Sequence, residues 1–455
     1  MKIVVVGAGD VGAFVAKSLS EEGHDVVVVE QDPDRADLMK ETQDVAVVQG
    51  NGARPIVLEQ AGVSKGSDVD ALIACTNRDE VNLMAGWLGK RAGVRQVLAR
   101  VRDLEFTDTP GWAKELGIDM LHSPERALTR EIMSLLEVTA ALHSTDMAGG
   151  LAGSFAFRVE DRSPVCGRSL QEVGVACPDL GAVVVYVERN GEGFLPDGQW
   201  RAQAGDLCFL VCLKERAMKA QALFHPGRTK RLGRVVVVGG GKQGANLARG
   251  ILRRYPGLET VLVDLRHDKC VKLAGEMPDL EVINGDGREA ELLINAGVQS
   301  ADGLVATTDS DEQNIVIAAL AGTLGCRKTV AVARRRGYSR LRSVLPVDVL
   351  LNPNETLASS FLRHVRYPRS AGVLSLIDRI GAETLEFTLP EDSPLAGRAV
   401  MDLGLDRGAL IALVSRGGGL IVPNGRTTLL AGDVITLFAS GGLMPKAMRL
   451  FGLSA

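Results

Sequence analysis

The sequence has few aromatic residues, no basic excess and no long apolar run. Phe, Trp and Tyr make up 4% of the 455 residues, which is too few for the base-stacking surfaces of many nucleic-acid binders. The net charge is −4 at pH 7, whereas a nucleic-acid-binding domain usually carries an excess of Lys and Arg. No apolar stretch approaches the ~20 residues that a membrane helix needs. Composition therefore argues against a nucleic-acid partner and against a membrane-spanning segment.

Cysteine and histidine are also sparse, and neither marks a reactive site. The cysteines stand at positions 75, 166, 177, 208, 212, 270 and 326, with no CxxC pair and no zinc spacing. None of the six histidines falls in a motif that recurs along the chain. The GxxxxGKS/T loop of nucleotide hydrolases is missing as well. The sequence therefore predicts no catalytic residue and no metal site, and its unpaired cysteines favour a reducing compartment.

Glycine is abundant, at 52 residues. The most glycine-rich segments occur twice, as part of a longer sequence repeat. The recurring pairs are IVVVGAGDVG (3–12) and VVVVGGGKQG (235–244), DALIACTNRDEVN (70–82) and DGLVATTDSDEQN (302–314), LARVR (98–102) and VARRR (332–336), and SPVCGRSLQEVG (163–174) and SPLAGRAVMDLG (393–404). The offset between partners stays at roughly 230 residues. A repeat of this length predicts a duplicated structural unit. The first of these segments follows Met1 almost directly, which indicates a strand and a loop rather than a signal peptide.

Each copy alternates apolar strand patterns with helix patterns and then ends in a short β-rich segment. Near-continuous apolar runs are typical of parallel strands buried on both faces. We therefore predict an α/β protein with two doubly wound, Rossmann-like parallel-sheet domains, each followed by a small α+β C-terminal domain. The first copy should include helices over 104–116 and 124–141. The predicted domains are 1–123 (first lobe), 124–142 (crossover helix), 143–226 (first C-terminal module), 227–232 (linker), 233–352 (second lobe), 353–368 (crossover helix) and 369–455 (second C-terminal module).

Both lobes carry a GxGxxG fingerprint between a strand and a helix. Its glycines are Gly7, Gly9 and Gly12 in the first lobe and Gly239, Gly241 and Gly244 in the second. The first glycine permits a tight turn, the second lets the backbone approach a pyrophosphate, and the third lets helix and strand pack closely. Phosphates bound there would meet unpaired helix N–H groups at the positive end of the helix dipole. Because the motif occurs twice in the right context, it is a strong prediction of two nucleotide sites.

An acidic residue ends the second predicted strand of each lobe. Glu30 and Asp264 occupy this position. A carboxylate there accepts hydrogen bonds from a ribose 2′-hydroxyl and repels a 2′-phosphate. These residues therefore favour NAD(H) or an adenine nucleotide over NADP.

The two predicted sites differ in charge. The loop residue after the second glycine is Asp10 in the first lobe and Lys242 in the second. At the end of the third strand, where the adenine should lie, Asn51 in the first copy corresponds to Asp286 in the second. We therefore predict that the two lobes prefer different nucleotides.

Two further pairs border the crevice where the strand order reverses. Thr76 and Thr308 end the fourth strands, where a hydroxyl could bind a ribose or phosphate, or instead cap the helix that follows. Arg100 and Arg334 close the fifth strands. An arginine aimed into the crevice would pair with phosphate oxygens, and the alternative is a surface ion pair.

With these motifs in this order, the chain resembles the cytoplasmic regulatory subunits of Trk potassium uptake systems, which are built from tandem RCK domains. The resemblance covers essentially the whole chain. It implies binding of NAD(H) and ATP or ADP, and a homotetrameric gating ring lying peripherally on the inner face of the membrane beneath a potassium channel subunit. The nucleotide contacts that it implies are Gly7, Ala8, Gly9, Asp10, Val11, Gly12, Glu30, Thr76, Asn77 and Arg100, and then Gly239, Gly240, Gly241, Lys242, Gln243, Gly244, Asp264, Thr308 and Arg334.

Two other functions are compatible with parts of the sequence. An NAD-dependent oxidoreductase would share the fingerprint, but it would need an acid–base group that the repeated motifs do not supply. A regulator of a different cation transporter or antiporter would share both the fingerprint and the absence of such a group. Only the duplicated layout favours the Trk system over this second alternative.

Overall fold

A computed structural model of the chain describes residues 1–109, 111–227, 232–339, 341, 344–366, 372–377, 382–440 and 442–453. It divides into two units, Met1–Leu128 with Asn352–Pro368, and Thr129–Leu351 with Arg369–Ala455. Most of the predicted linker 227–232 lies outside the described residues, as do the positions 367–371 that follow the second crossover helix.

The first lobe is a six-stranded parallel sheet of apolar strands covered by helices. Its strands are β1 (Lys2–Val6), β2 (Asp25–Glu30), β3 (Ala46–Gln49), β4 (Ala71–Ala74), β5 (Gln96–Arg100) and β6 (Met120–His122). Its helices are α1 (Asp10–Glu21), α2 (Pro33–Thr42), α3 (Pro55–Gln60), α4 (Asp79–Ala92), α5 (Glu105–Asp108) and α6 (Trp112–Glu115). The strand order β3-β2-β1-β4-β5-β6 reverses between β1 and β4, which is where such sheets bind ligands.

Helix α7 (Pro124–Glu137) leads from the first lobe to the first C-terminal module. The strands of this module are β7 (His143–Met147), β8 (Ala152–Arg158), β9 (Ala182–Arg189), β10 (Glu192–Phe194) and β11 (Leu207–Leu213), and its helices are α8 (Leu170–Ala176) and α9 (Ala217–Phe224). The strands form an antiparallel sheet in the order β10-β9-β11-β8-β7. A capping box starts α8, because the Ser169 hydroxyl accepts from the Glu172 N–H and the Glu172 carboxylate accepts from the Ser169 N–H.

The second copy repeats both parts. The strands of the second lobe are β12 (Arg234–Val238), β13 (Glu259–Asp264), β14 (Glu281–Asn284), β15 (Gly303–Ala306), β16 (Thr329–Val332) and β17 (Val349–Leu351). Its helices are α10 (Lys242–Arg254), α11 (His267–Glu276), α12 (Ala290–Asn295), α13 (Asp311–Thr323) and α14 (Arg336–Ser339). The sheet order β14-β13-β12-β15-β16-β17 is that of the first lobe.

The second crossover helix and module complete the chain. They comprise α15 (Pro353–Arg366), β18 (Gly372–Ile377), β19 (Ala382–Thr388), β20 (Ala409–Arg416), β21 (Gly419–Ile421), β22 (Val434–Ser440) and α16 (Met444–Leu450). The sheet order β18-β19-β22-β20-β21 has the connectivity of the first module read from its other edge. The predicted fold class, two Rossmann-like sheets each followed by a small α+β domain, is confirmed.

Each lobe packs against the crossover helix of the other copy. In the first unit, Leu357 and Phe361 of α15 share a buried apolar cluster with Val15 and Leu19 of α1. In the second unit, Tyr255 at the end of α10 donates a hydrogen bond from its hydroxyl to the Glu137 carboxylate of α7. The helix that leaves one lobe therefore covers the sheet of the other, an arrangement that the repeats alone did not predict.

Two predicted helices are shorter in the structure. The helix expected over 104–116 is replaced by α5 and α6, with Gly111 at φ +92° before α6, a value that ends a right-handed helix. The helix expected over 124–141 ends at Glu137. Past that point the Ala140 N–H donates to the Gln221 side-chain oxygen at 2.9 Å, so this N–H is not available for another helical turn. Among the described helices, none is both long and apolar enough to cross a bilayer.

The triplet AGD occurs in both modules, at 204–206 and at 431–433, and its aspartate forms a buried ion pair that leads to a pH-dependent prediction. Arg416 donates two 2.7 Å hydrogen bonds to Asp433, which is 1% exposed, and these bonds hold the pKa of Asp433 below its usual 3.8. The pair therefore contributes its full stabilisation at pH values above 3.8, the usual pKa of the unfolded chain. This stabilisation is lost as the pH falls through the lowered pKa of Asp433 in the folded module. We expect Asp433→Asn to lower the free energy of unfolding by about 2 kcal/mol at neutral pH. This is less than for a fully buried pair, because Arg416 is partly exposed.

The difference between wild type and Asp433→Asn should shrink when urea unfolding is followed from about pH 6 to about pH 2. Asn in place of the exposed Asp402 serves as the matched control, and its cost should be small at every pH. A cost for Asp433→Asn that stays constant down to low pH would contradict this role for the ion pair.

Two candidate nucleotide sites

The glycine turn of the first lobe joins β1 to α1. Gly7 adopts φ +104°, and its N–H donates to the Val29 carbonyl at 2.8 Å. A Cβ on Gly12 would lie 1.8 Å from the Gly7 carbonyl oxygen, so this position excludes every other residue. Gly9 is the N-cap of α1 and provides no side-chain cap, which leaves the first-turn N–H groups available to an anion.

The second lobe reproduces this geometry. Gly239 adopts φ +108°, and its N–H donates to the Val263 carbonyl at 2.8 Å. A Cβ on Gly244 would again lie 1.8 Å from the carbonyl oxygen of the first glycine. Gly241 is the N-cap of α10, also without a side-chain cap. Both turns therefore have the form that the fingerprint predicts.

The acidic residues at the ends of β2 and β13 face these turns. Glu30 accepts from the Ala8 N–H at 2.5 Å and from the Asp32 N–H at 2.9 Å. Asp264 accepts from the Gly240 N–H at 2.6 Å and from the Arg266 N–H at 2.8 Å. Each carboxylate thus holds the glycine turn against the strand end. Two bonds leave part of its acceptor capacity unused, so a ribose hydroxyl could still bind it.

Asn51 and Asp286, which are expected near the adenine, both make local contacts, but they differ in charge. The Asn51 side-chain oxygen accepts from the Ala53 N–H at 2.9 Å. Asp286 accepts from the Arg288 N–H at 2.9 Å and pairs with the Arg288 guanidinium at 2.5 Å. This guanidinium lowers the pKa of Asp286. The second site therefore carries a paired acid where the first carries a neutral amide.

Thr76 and Thr308 direct their hydroxyl protons into the protein. The Thr76 hydroxyl donates to the Asn82 side-chain oxygen, and the Thr308 hydroxyl to that of Asn314, both at 2.7 Å. The N-caps of α4 and α13 are Arg78 and Ser310. The alternative that the threonines cap these helices is therefore wrong.

Asn82 and Asn314 were missed by the sequence analysis. Both are 0% exposed. The Asn82 amide donates to the carbonyls of Thr76 and Arg100 at 3.1 and 3.0 Å, and the Asn314 amide donates to matching carbonyls at 3.2 and 2.8 Å. Each asparagine ties together the ends of two strands that border the crevice. The signal for this role was present, because an asparagine stands six residues after the threonine in both copies.

The pairing of Arg100 with Arg334 is wrong. Asn82 donates to the Arg100 carbonyl, whereas Asn314 donates to the Val332 carbonyl. The strand registers agree with this alignment. Ala74 of β4 lies opposite Ala99 of β5, and Ala306 of β15 lies opposite Ala331 of β16, so the residues that follow, Arg100 and Val332, are equivalent. Matching the letters of LARVR and VARRR shifts the second segment by two residues. Val332 is the true counterpart of Arg100, so the second lobe has no arginine at this position.

Arg334 instead corresponds to Arg102. The backbone N–H groups of Arg102 and Arg334 donate to the side chains of Asp79 and Asp311 at 2.9 Å. The Arg334 guanidinium donates to the Thr308 carbonyl at 3.2 Å. It therefore lies at the rim of the second crevice, although it is not the residue that closes β16.

Arg100 is partly buried at the end of β5. Its Nε atom is buried and has no hydrogen-bond partner among the described residues. Burial lowers the pKa of Arg100, and the nearby Glu125 carboxylate raises it. A buried donor without a partner is costly, so this guanidinium is suited to bind an anionic ligand by donating to it.

The remaining loop residues divide into exposed and buried groups. Asp10, Asn77 and Lys242 are exposed. Val11 is 3% exposed and belongs to the cluster shared with α15. Gln243 is 8% exposed and donates from its side chain to the Thr129 hydroxyl of α7 at 3.2 Å. Both of these side chains pack on crossover helices, so the nucleotide contacts predicted for Val11 and Gln243 could be made only by their backbone.

The fold and the two turns define a protein with tandem Rossmann-type domains, each with an acid at the end of its second strand. The TrkA-N domain family model matches residues 3–124 and 235–353, and the TrkA-C domain model matches residues 384–452. The chain therefore belongs to the TrkA family.

Curated relatives extend over the full length of the chain. The Trk system potassium uptake protein TrkA homolog of Archaeoglobus fulgidus is 31% identical, with 99% of this chain and 100% of the relative covered. The Trk system potassium uptake protein TrkA of Azorhizobium caulinodans is 30% identical, with 100% and 99% covered.

Solved structures share the fold. The structure described as the GsuK RCK domain has a TM-score of 0.63 and 18% identity, and covers 99% of this chain and 95% of its own. The GsuK channel bound to NAD has a TM-score of 0.64 and 19% identity, and covers 99% and 79%. This similarity shows the RCK fold.

Proposed function

We propose that the chain is a nucleotide-sensing regulatory subunit of a Trk-type potassium uptake system and not an enzyme. In this role it binds NAD(H), ATP or ADP in its lobes and controls a membrane-embedded potassium channel subunit. The observation that carries the proposal is the duplicated turn, in which an uncapped helix start and a buried carboxylate converge in both lobes. The membership in the TrkA family and the NAD bound by the GsuK channel support it.

The residues of each lobe would divide the work of binding. First-turn N–H groups of α1 and α10 bind the phosphates, because the helix dipole is positive there. Glu30 and Asp264 accept the ribose hydroxyls of the adenosine half. Thr76 and Thr308 line the crevice floor, with Asn82 and Asn314 holding them in place. On this proposal the chain works as a homotetramer at the inner face of the membrane, and the resemblance to tandem RCK regulatory subunits supports this part of the proposal.

Regulation requires that a nucleotide bind two states of the subunit with different affinity. A tenfold change in their ratio needs about 1.4 kcal/mol of difference. Arg100 is suited to supply it in the first lobe, because a triphosphate and a dinucleotide pyrophosphate place their charge differently around a guanidinium. The second lobe has Val332 at this position, so the two sites should discriminate nucleotides differently.

We expect Arg100→Ala to weaken ATP binding to the first lobe about tenfold, the loss of one charge-assisted hydrogen bond. Calorimetric titration in an Asp264→Ala background isolates this lobe. Arg95→Ala is the matched control, since Arg95 is exposed, precedes β5 at the end away from the crevice and pairs with Asp70 at 2.9 Å, and exposed residues of this kind contribute little. If Arg100→Ala leaves both the ATP affinity and the NADH affinity unchanged from those of its parent, this residue has no role in discrimination.

The proposed function is tested by potassium flux into vesicles that hold the Trk-type membrane subunit. Uptake is followed with the chain added alone and with NADH, NAD, ATP or ADP. We expect the nucleotides to change uptake only when the chain is present, and the double variant Glu30→Ala, Asp264→Ala to remove their effect. Uptake that responds to the chain but never to a nucleotide would contradict the sensing role.

A further inference from the structure

We propose that occupancy of the second lobe is transmitted through α10 and α7 to the first C-terminal module, the module of the other copy. This inference rests on the proposed function, because it takes the second glycine turn as a nucleotide site. Along the chain the second lobe is followed by the second module, whereas the proposed signal passes from the second lobe to the first module. All the contacts that carry it lie within the second unit.

Helix α10 starts at the glycine turn and contacts α7 at its first turn, near its middle and at its end. At its first turn, Gln243 donates to the Thr129 hydroxyl at 3.2 Å. In its middle, a Cβ on Gly250 would lie 3.3 Å from the Met133 sulfur, so the two helices approach closely. At its end, the Tyr255 hydroxyl donates to the Glu137 carboxylate. A displacement of the first turn by bound phosphate would therefore be passed to α7 by rigid, packed contacts.

The chain after α7 is held by the second lobe and by the first module together. Lys328, which is 1% exposed, donates from its ammonium group to the carbonyls of Thr139 and Ala141. From the module, the Gln221 side-chain oxygen accepts from the Ala140 N–H at 2.9 Å. A buried ammonium group is costly unless it is hydrogen-bonded, so Lys328 strongly favours one position of this segment.

The first module continues directly from this held segment. Strand β7 begins at His143, and Asp146 of this strand pairs with Lys214 at 2.7 Å. Lys214 also lies 3.8 Å from Glu137, the residue that Tyr255 contacts. The end of α7 is thus linked to the module both through the backbone and through charged side chains.

The first lobe has a neutral version of this contact. Gln96 precedes Val97 as Lys328 precedes Thr329 in the matched strand registers. Its side-chain nitrogen donates to the His364 carbonyl of α15 at 2.9 Å. The same strand position therefore contacts the crossover helix in the first lobe and the segment just after the crossover helix in the second, where the contact is made by a fully buried charge.

Amide hydrogen exchange of the full-length chain tests the proposal, with NADH as the probe. We expect saturating NADH to slow exchange over 138–158 at least about fivefold, the lower range of allosteric couplings, and to change 434–440 of the second module much less. The effect should survive Glu30→Ala and disappear with Asp264→Ala. Calorimetry on the same samples records whether NADH binds.

A conservative variant separates coupling from folding. Tyr255→Phe removes the hydroxyl that reaches Glu137 but keeps the ring. We expect it to leave NADH affinity within about threefold and to reduce the protection of 138–158 by at least half. Tyr338→Phe is the matched control, because it removes a 2.7 Å bond to Glu312 in the same lobe away from α10 and α7.

The possible failures are distinguishable. If NADH binds the second lobe but 138–158 exchanges unchanged, or if the second module is protected equally, the inference is overturned and the proposed function stands. If Tyr255→Phe behaves as Tyr338→Phe does, the α10–α7 route is overturned. If NADH does not bind the second lobe, the exchange experiment is repeated with ATP and with ADP; if none of these nucleotides binds, the proposed function and the inference fall together.

Discussion

Replacing Gly244 with alanine is expected to abolish nucleotide binding to the second lobe. The new Cβ would lie 1.8 Å from the Gly239 carbonyl oxygen, and real Cβ atoms essentially never come within 3.0 Å of a heavy atom of a residue distant along the chain. The turn must therefore shift, and its N–H groups cease to converge on one point. Losing two or three such hydrogen bonds should lower NADH affinity at least about 100-fold.

This prediction is measured by calorimetry in a Glu30→Ala background, where the first lobe is silent. Gly275→Ala is the matched control: Gly275 lies in α11 of the same lobe, and its Cβ would meet nothing within 4 Å. Alanine there should leave binding intact and raise helix stability by up to about 1 kcal/mol. NADH binding to Gly244→Ala with the affinity of the parent would show that phosphates do not bind at this turn.

Replacing Asn314 with alanine is expected to destabilise the second lobe by about 3 kcal/mol. The fully buried side chain accepts from the Thr308 N–H and hydroxyl and donates to the Thr308 and Val332 carbonyls. Alanine removes all four of these bonds; the Thr308 carbonyl keeps the Arg334 guanidinium and the Thr308 hydroxyl keeps the Ser310 backbone, but the Thr308 N–H and the Val332 carbonyl lose their side-chain partner. Exchange of the β15 and β16 amides should then become roughly 100-fold faster.

Two variants show whether hydrogen bonding or volume is responsible. Asn314→Asp keeps the size but places an oxygen where the amide donates to two carbonyls, so it should be at least as harmful as alanine. Asn295→Ala changes an exposed asparagine of the same lobe and should have little effect. An Asn314→Asp variant as stable as wild type would contradict the hydrogen-bonded role.

The sheets and the glycine turns could be predicted because their signals are local and occur twice. An apolar run, a turn glycine and an acid at a strand end each report on their own backbone. The duplication then excluded chance matches. Gly12 and Gly244 illustrate this, since the steric need seen in both copies is the one that the fingerprint encodes.

The errors arose where the structure depends on distant partners. Arg100 and Arg334 were matched by their letters, whereas strand register and the buried asparagines determine the true alignment. Gln243 lies within the loop motif, yet its side chain contacts α7. Nothing in an amphipathic helix says which lobe it covers, so the exchange of crossover helices and the role of Lys328 needed the tertiary structure.

The two sites that result are similar in backbone and different in charge. Asp10 and Lys242 stand at the same place in the two loops, and Arg100 is replaced by Val332 in the second lobe. A duplicated unit with unlike sites can report on two nucleotides at once. This is the physical basis for expecting the lobes to act as separate sensors.

The central claim, that each lobe is a separate nucleotide site, is tested most directly by titrating the purified chain with NADH, NAD and ATP by calorimetry beside Glu30→Ala and Asp264→Ala. We predict saturable binding without consumption of NADH, with each variant weakening one of two sites and sparing the other. Absence of saturable binding, or variants that leave both sites unchanged, would contradict the account and leave a Rossmann fold retained only as a scaffold.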